Sequence, residues 1–345
     1  MRTRSARFLA WGLCIALAWA MDALRPRLGD SPWIPGASIL ALVAGLILAH
    51  LPGMRARLAG GARFVVQSGI PLAIVLIGFG LDLGGLGAQV LGPGLVVVLL
   101  AMVSAFAFSL GLGRLAGLDL RTSLLIGSGT AVCGNSAIMA VAPIVKPEDE
   151  DLGLTLGVIN LLGLVMLFVL PPMAHATGLT AQEGGMLAGL TVHAVPQALA
   201  TGQTFGDEAM QLATLYKLVR VALLMPVCLI LALWWARRGG QAGQAAGRMP
   251  RFLWWFTAAV IVRSLGLADW GFGADSVPIW RELQAIGKFV LTAVLAGVGM
   301  GLHLPTLVRV GPRVLAVGLG AAAGMTACTT GLLFLLRFWI QRDSG

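Results

Sequence analysis

Residues 127–143, GSGTAVCGNSAIMAVAP, carry the pattern that decides the fold class and the site of this protein. The stretch lies within a long apolar region, yet glycines and small polar residues fill its first half. Glycine and proline both weaken a helix, and inside a bilayer every backbone N–H and C=O needs a partner. The pattern indicates a broken membrane helix whose interruption lines a substrate site. A close-packing face of small residues is the alternative, and the polar amide of Asn135 favours the site.

The composition identifies an all-α polytopic membrane protein. Of 345 residues, 58% are hydrophobic and 11% are charged, whereas soluble domains carry about 25% charge. The apolar runs are long enough for helices rather than barrel strands, so the lipid bilayer is an expected partner. The net charge of +9 is explained by basic loops, and no nucleic-acid partner is expected.

The cysteines and motifs exclude several classes of protein. Cys14, Cys133, Cys228 and Cys328 lie in separate apolar runs without a CxxC motif, so neither a disulfide nor a metal site is predicted. The chain has no HExxH, GxSxG or acidic metal-binding motif. We therefore expect no cofactor and no enzymatic activity.

The hydrophobic pattern predicts about eleven spans with broken helices at the centre. Short loops favour one integral membrane domain over 1–345, with halves at about 1–176 and 177–345 and a cytoplasmic loop at about 237–251. The sequence leaves a homo-oligomer open. The spans are 8–24, 36–52, 66–83, 92–111, 123–145, 153–173, 184–203, 211–236, 252–268, 283–302 and 314–336.

Charge asymmetry predicts a cytoplasmic N-terminus and a periplasmic C-terminus in the bacterial inner membrane. With the spans above, fourteen Lys and Arg residues face the cytoplasm and six face the periplasm, as the positive-inside rule requires. The loop between the sixth and seventh spans has no basic residue, so it gives the weakest support for this orientation. Arg2, Arg4 and Arg7 before a short apolar run also fit a cleaved signal peptide, and the topology favours a retained helix.

A second unusual stretch is 189–202, GLTVHAVPQALATG. It holds His193 and Gln197 around Pro196, which removes a helix donor. A kinked helix with a hydrogen-bonded core histidine is the alternative. Its likeness to the first stretch favours a second broken helix at the same site.

Two basic residues lie inside the eighth span. Lys217 and Arg220 are three apart and share one helix face, and charges at that depth are usually functional. Snorkelling to the interface is the alternative. Acidic residues fall in loops or at span ends, with Asp82 nearest to an exception. The buried charge is then wholly positive, which predicts a small anionic substrate.

Internal similarity leaves an inverted repeat open. Residues 78–83 (GFGLDL) resemble 299–304 (GMGLHL), and 130–134 (TAVCG) weakly resemble 191–195 (TVHAV). One duplication cannot produce both spacings. Spans five and seven would also run in the same direction if both crossed the membrane fully.

Three segments, GSGTAVCGNSAIMAVAPIVK, GLTVHAVPQALATG and YKLVRVALLMP, resemble in order the signature segments of the YeiH-type putative sulfate exporter family of bacterial inner-membrane proteins. The resemblance covers most of the chain. It implies a relation to the bile-acid-symporter and cation/proton-antiporter clan, with two helix bundles and crossed broken helices. The family often has Glu where this chain has Ala194, which puts proton coupling through that position in doubt.

The combined expectation is a secondary transporter that exports a small anion, sulfate-like, a sulfonate or another organic anion, with a proton as the coupling ion. A passive anion channel and a non-transporting membrane protein are the alternatives. His193 and Asp82 are the coupling candidates. The predicted substrate-binding residues are Cys133, Gly134, Asn135, Ser136, His193, Gln197, Lys217 and Arg220.

Overall fold

The computed structural model describes residues 2–28, 36–51, 53–81, 90–238, 251–267, 269, 278–302 and 311–343. Within these ranges every regular element is helical and no strand occurs, which confirms the all-α prediction. Seven helical segments are long and apolar enough to cross a membrane. The count of eleven spans is not reached by this criterion, because the remaining predicted spans coincide with shorter helices.

The helices fall into two compact units. One comprises residues 1–89 and 250–303, and the other comprises 90–249 and 304–345. Each unit joins segments from both ends of the chain, so neither coincides with the halves 1–176 and 177–345.

The first unit contains five α-helices in the described residues, and helix α13 (Ile279–Gly301) packs on both α2 (Ala37–His50) and α3 (Met54–Gly78). Small residues allow this close approach, since a Cβ at Gly45 would overlap the Ala296 carbonyl. Ser38 and Thr292 share a hydroxyl hydrogen bond of 2.9 Å between the same two helices. The helices are α1 (Arg2–Leu24), α2 (Ala37–His50), α3 (Met54–Gly78), α12 (Arg251–Ser264) and α13 (Ile279–Gly301).

The second unit contains the predicted site. Asp119 caps helix α5 (Leu120–Ala131) by accepting a hydrogen bond from the Leu120 amide at 2.8 Å. Thr180 and Glu183 form a capping box at the start of α8 (Ala181–Thr191). The helices are α4 (Leu95–Leu115), α5 (Leu120–Ala131), α6 (Asn135–Val145), α7 (Asp149–Ala176), α8 (Ala181–Thr191), α9 (Val195–Gln203), α10 (Asp207–Ala222), α11 (Leu224–Arg237) and α14 (Pro312–Asp343).

The long helices of the second unit run in two opposite directions. A Cβ at Gly318 would contact Val158, and Arg337 donates to the Gly178 carbonyl at 3.4 Å, so α14 runs parallel to α7. Cβ atoms at Gly320 and Gly324 would overlap Leu112 and Phe108, respectively, so α4 runs antiparallel to α14. We call the end where α4 and α11 finish the α11 end, and the end where α7 and α14 finish the α7 end.

Candidate functional site

The first broken helix is a hairpin that folds back on itself. Helix α5 ends at Ala131 and α6 begins at Asn135. At the base, Arg121 donates from Nη1 to the Lys146 carbonyl at 2.8 Å. This bond brings the start of α5 to the end of α6. The predicted break at 127–143 is confirmed, whereas the predicted full crossing over 123–145 is wrong.

Gly134 makes this reversal possible. Its φ of 68° and ψ of −128° lie in a region that L side chains avoid. The turn also brings the two arms together, because a Cβ at Gly129 would lie 3.0 Å from the Ile138 side chain. The sequence identified the glycine as a helix breaker but did not reveal that the chain reverses there.

The second broken helix is also a hairpin. Helix α8 ends at Thr191, and α9 begins at Val195 with Pro196 in its first turn. A Cβ at Gly184, near the start of α8, would contact the ring of Phe205, which follows α9. The predicted span 184–203 therefore begins and ends on one side of the unit, and its prediction as a full crossing is corrected.

The two hairpins enter the unit from opposite ends. The Arg121 guanidinium lies 5.9 Å from the ring of Trp235, which places the first base at the α11 end. Gln182 donates to Glu208 at 2.7 Å, which places the second base beside the start of α10 at the α7 end. Opposed hairpins have inverted orientation, which removes the objection that two full crossings would run in the same direction.

The tips of the hairpins meet beside α10. A Cβ at Gly134 would lie 3.6 Å from the His193 carbonyl oxygen. Lys217 Nζ donates to the carbonyl oxygens of Val132 at 2.9 Å and Val192 at 2.7 Å. One ammonium group thus holds the ends of α5 and α8 together.

Arg220 bridges the same two helix ends. Its Nε donates to Ala131 O at 2.8 Å and its Nη2 donates to Thr130 O at 2.6 Å, both on α5. Its Nη1 donates to Gly189 O at 3.0 Å and Val192 O at 3.4 Å on α8. The last carbonyls of a helix have no intrahelical partner and carry partial negative charge, so the two cations satisfy both helix ends.

This contact pattern revises the prediction for the basic pair. Lys217 and Arg220 are both 0% exposed, so neither snorkels to an interface and neither faces an open path. Their described donors go to backbone carbonyls that the broken helices release. The sequence reveals the charges but not these partners, since carbonyls leave no sequence signal. Direct contact with an anion stays a prediction.

His193 and Gln197 lie buried on the second hairpin. His193 is 1% exposed and Gln197 is 7% exposed. Both ring nitrogens of His193 and Oε1 of Gln197 lack a hydrogen-bond partner within the part of the chain that the structure describes. Buried polar atoms normally have partners. The described contacts therefore do not support the alternative prediction that His193 is a hydrogen-bonded core histidine.

Asn135 and Ser136 lie in the first turn of α6 and are exposed. The Asn135 side chain donates from Nδ2 to Oδ1 of Asn160 on α7, at 2.8 Å. Asn160 is also exposed, and sequence reasoning missed it. An asparagine in the middle of the apolar run GVINLLG is a polar group at membrane depth, and that was the available signal.

The remaining predicted residues differ in what the structure describes. Cys133 is 8% exposed beside Gly134 and has a free thiol. Asp82 lies outside the described residues. Within the described residues no group of three or more His, Cys, Asp or Glu side chains could hold a metal ion.

Comparison with known proteins finds membrane proteins that are similar to this chain over most of its length. A family model described as "Conserved hypothetical protein 698" matches residues 9–318. The UPF0324 membrane protein blr3189 of Bradyrhizobium diazoefficiens is 33% identical over 314 residues, covering 88% of this chain and 86% of that protein. The UPF0324 membrane protein TauZ of Paracoccus pantotrophus is 33% identical over 309 residues, covering 87% and 88%. No solved structure matches the chain.

Proposed function

The chain belongs to the UPF0324 membrane-protein family, which is the YeiH-type family, and from this premise we propose that it is a secondary transporter of a small anion. The substrate class is sulfate-like or a sulfonate or other organic anion, and export from the cytoplasm through the bacterial inner membrane is the proposed direction. The N-terminus is cytoplasmic and the C-terminus periplasmic in this proposal.

One observation carries the proposal, namely the excess of positive charge where the hairpin tips meet. Lys217 and Arg220 bring positive charge to two helix C-termini, and each helix end carries only about half a negative charge. The N-termini of α6 and α9 add about half a positive charge each. No Asp or Glu is among the buried residues of the described chain. A small anion would supply the missing negative charge.

The tips also offer hydrogen-bond donors that an anion needs when it leaves water. The first amides of a helix have no intrahelical acceptor, and this applies at Asn135 and Ser136. Their exposed side chains, with that of Asn160, add amide and hydroxyl donors at the same place. Interrupted helices at membrane depth, with N-termini directed at an anion, are a recurring transporter design.

Proton coupling is the finer part of the proposal, and His193 is its candidate. Imidazole is the side chain that changes charge between about pH 5 and 8, and His193 lies on the second tip next to Gly134. A protonated His193 would add positive charge beside the anion, and a neutral His193 would help to release the anion. Asp82 is the second candidate.

The test is uptake of labelled sulfate and labelled methanesulfonate into proteoliposomes, with and without a pH gradient. We expect uptake of at least one anion and its loss in Asn135→Leu. Gln182→Leu is the matched control, because it removes an amide at the hairpin base rather than at the tip. Normal uptake by Asn135→Leu would contradict the proposed site.

The same vesicles distinguish a carrier from a passive channel. Preloading with unlabelled anion should accelerate uptake of the labelled anion by a carrier, since each turnover returns a loaded site. Equal uptake rates with and without preloading would favour a channel. No uptake of either anion, in folded protein, would favour a non-transporting membrane protein.

A further inference from the structure

An apolar groove opens on the second unit between α4 and α11, away from the hairpin tips. Its volume is about 420 Å³, which is within the range of ligand sites, about 300–1,000 Å³. Val103 and Phe106 line it on α4, Leu124 forms part of its floor, and Ile230 and Trp234 line it on α11. Val103 and Ile230 are 63% and 64% exposed. The groove is therefore an open, unfilled apolar surface.

The groove exists because α11 separates from the helices before it. The helix that begins as α10 is interrupted at Leu223, and Pro226 cannot donate to the preceding turn. Beyond this point α11 packs mainly on α6, whereas α4 packs on α5 and α14. The gap between them is a consequence of the fold and not of one poorly packed side chain.

The length of the groove along α11 is about the thickness of one leaflet of a bilayer. From Leu223 to Trp234 a helix rises about 16 Å, and half of the hydrocarbon core measures about 15 Å. Trp234 lies at one end of the groove and Leu223 at the other. Tryptophan is enriched at the boundary between hydrocarbon and head groups, so the Trp234 end marks the level of the lipid head groups.

Positive charge lies at that end. The Arg238 guanidinium is 4.2 Å from the ring of Trp234, which itself lines the groove. Arg237 and Arg238 are both exposed. Arg121 lies over Trp235 nearby, but its Nε is also 3.8 Å from Asp119, which offsets part of its charge. Arg237 and Arg238 are therefore the groups that an anionic head group would meet.

We propose that this groove binds an anionic phospholipid, with an acyl chain between α4 and α11 and its phosphate at Arg237 and Arg238. Apolar depth selects a lipid chain, and the charge at one end selects a negative head group. A second copy of this chain could fill the apolar part of the groove, but it would not bring a phosphate to Arg237 and Arg238. This inference does not depend on the proposed transport function.

Native mass spectrometry of the purified full chain tests the proposal. The probes are phosphatidylglycerol and phosphatidylcholine, added in equal amounts to protein in detergent. We expect preferential retention of phosphatidylglycerol. Arg238→Gln should lower that preference about fivefold, the effect of one charge near an anionic surface. Arg281→Gln is the matched control, since Arg281 lies over Trp280 in the first unit and should change nothing.

A second pair of variants tests the acyl-chain half of the site. Ile230→Trp should fill the groove and abolish retention. Leu229→Trp, on the adjacent exposed residue that does not line the groove, should leave retention unchanged. Equal retention of the two lipids, or equal behaviour of the two tryptophan variants, overturns the proposal. So does a wild-type dimer, seen in the same spectra, that Ile230→Trp abolishes.

Discussion

Lys217 Nζ, near the middle of a membrane helix, donates to the carbonyl oxygen of Val132 at 2.9 Å. The acceptor belongs to a hairpin tip 85 residues earlier in the chain. A buried lysine would be costly alone, and a helix end without partners would be costly too. The lysine and the helix end satisfy each other's hydrogen-bonding groups. Together with Arg220, they form the centre of the second unit.

The first prediction concerns stability. Arg220→Met should lower the unfolding midpoint in detergent, because carbonyls on two helix ends lose their donors, at about 1–3 kcal/mol for each buried group. Arg220→Lys should recover part of the loss, since it keeps the charge with fewer donors. Arg281→Met, at an exposed position, is the control. Equal midpoints for Arg220→Met and wild type would contradict the proposed role in stability.

The second prediction concerns the reversal at Gly134. Gly134→Ala should destabilise the tip by about 1–3 kcal/mol, since its φ is 68°, and should reduce anion uptake. Gly111→Ala on α4 is the control, because Gly111 is helical with open space around its Cβ position. Thermal unfolding and vesicle uptake measure the two effects. If the Gly134→Ala and Gly111→Ala variants unfolded at the same temperature, the result would argue against a backbone with positive φ at residue 134.

The third prediction concerns topology, which the hairpins change in detail. Single cysteines at Asp119 and Glu148 should react with a membrane-impermeant thiol reagent from one side, and cysteines at Thr180 and Asp207 from the other. The background needs Cys14, Cys133, Cys228 and Cys328 replaced by alanine.

A full crossing by α5 and α6 would instead put positions 119 and 148 on opposite sides. If the N-terminus is cytoplasmic, as predicted, the hairpin arrangement adds Lys146 to the cytoplasmic group and moves the loop without basic residues to the periplasmic side. Both changes strengthen the charge asymmetry. A reporter fused after Gly345 should still behave as periplasmic, and a cytoplasmic signal would contradict this orientation.

The fourth prediction tests the sign of the substrate charge. Asn160→Asp adds a carboxylate next to Asn135, whose amide lies 2.8 Å from the Asn160 side chain. Anion affinity should fall about tenfold, because a nearby like charge costs several times thermal energy. Asn160→Ala should cost less. Thr177→Asp, exposed at the end of α7, is the control, and equal losses at the two positions would indicate a general charge effect.

The fifth prediction concerns coupling. His193→Gln should flatten the dependence of anion uptake on pH, because the amide cannot take up a proton. Uptake rates at a series of pH values, with and without a pH gradient, measure the effect. Thermal unfolding checks that the variant is folded. A pH profile that survives the change would move the coupling role to Asp82.

Much of this protein follows from local sequence patterns. Long apolar runs determine helices, because only internally hydrogen-bonded segments are stable in hydrocarbon. Glycines at 127–134 and Pro196 determine two interruptions, since both residue types weaken a helix within one turn. The positions of Lys217 and Arg220 show that the buried charge is positive. These properties depend on a residue and its near neighbours, and the sequence alone determined them.

The tertiary structure alone decided where the interrupted helices go. Hydropathy reports depth but not direction, so residues 123–145 suit a crossing and a hairpin equally well. The contact of Arg121 with Lys146 selects the hairpin. Likewise, no pattern pairs Arg220 with Thr130, because backbone carbonyls are the same at every position. The proximity of Asn160 to Asn135 is likewise a result of the tertiary fold, because the two residues lie on different helices.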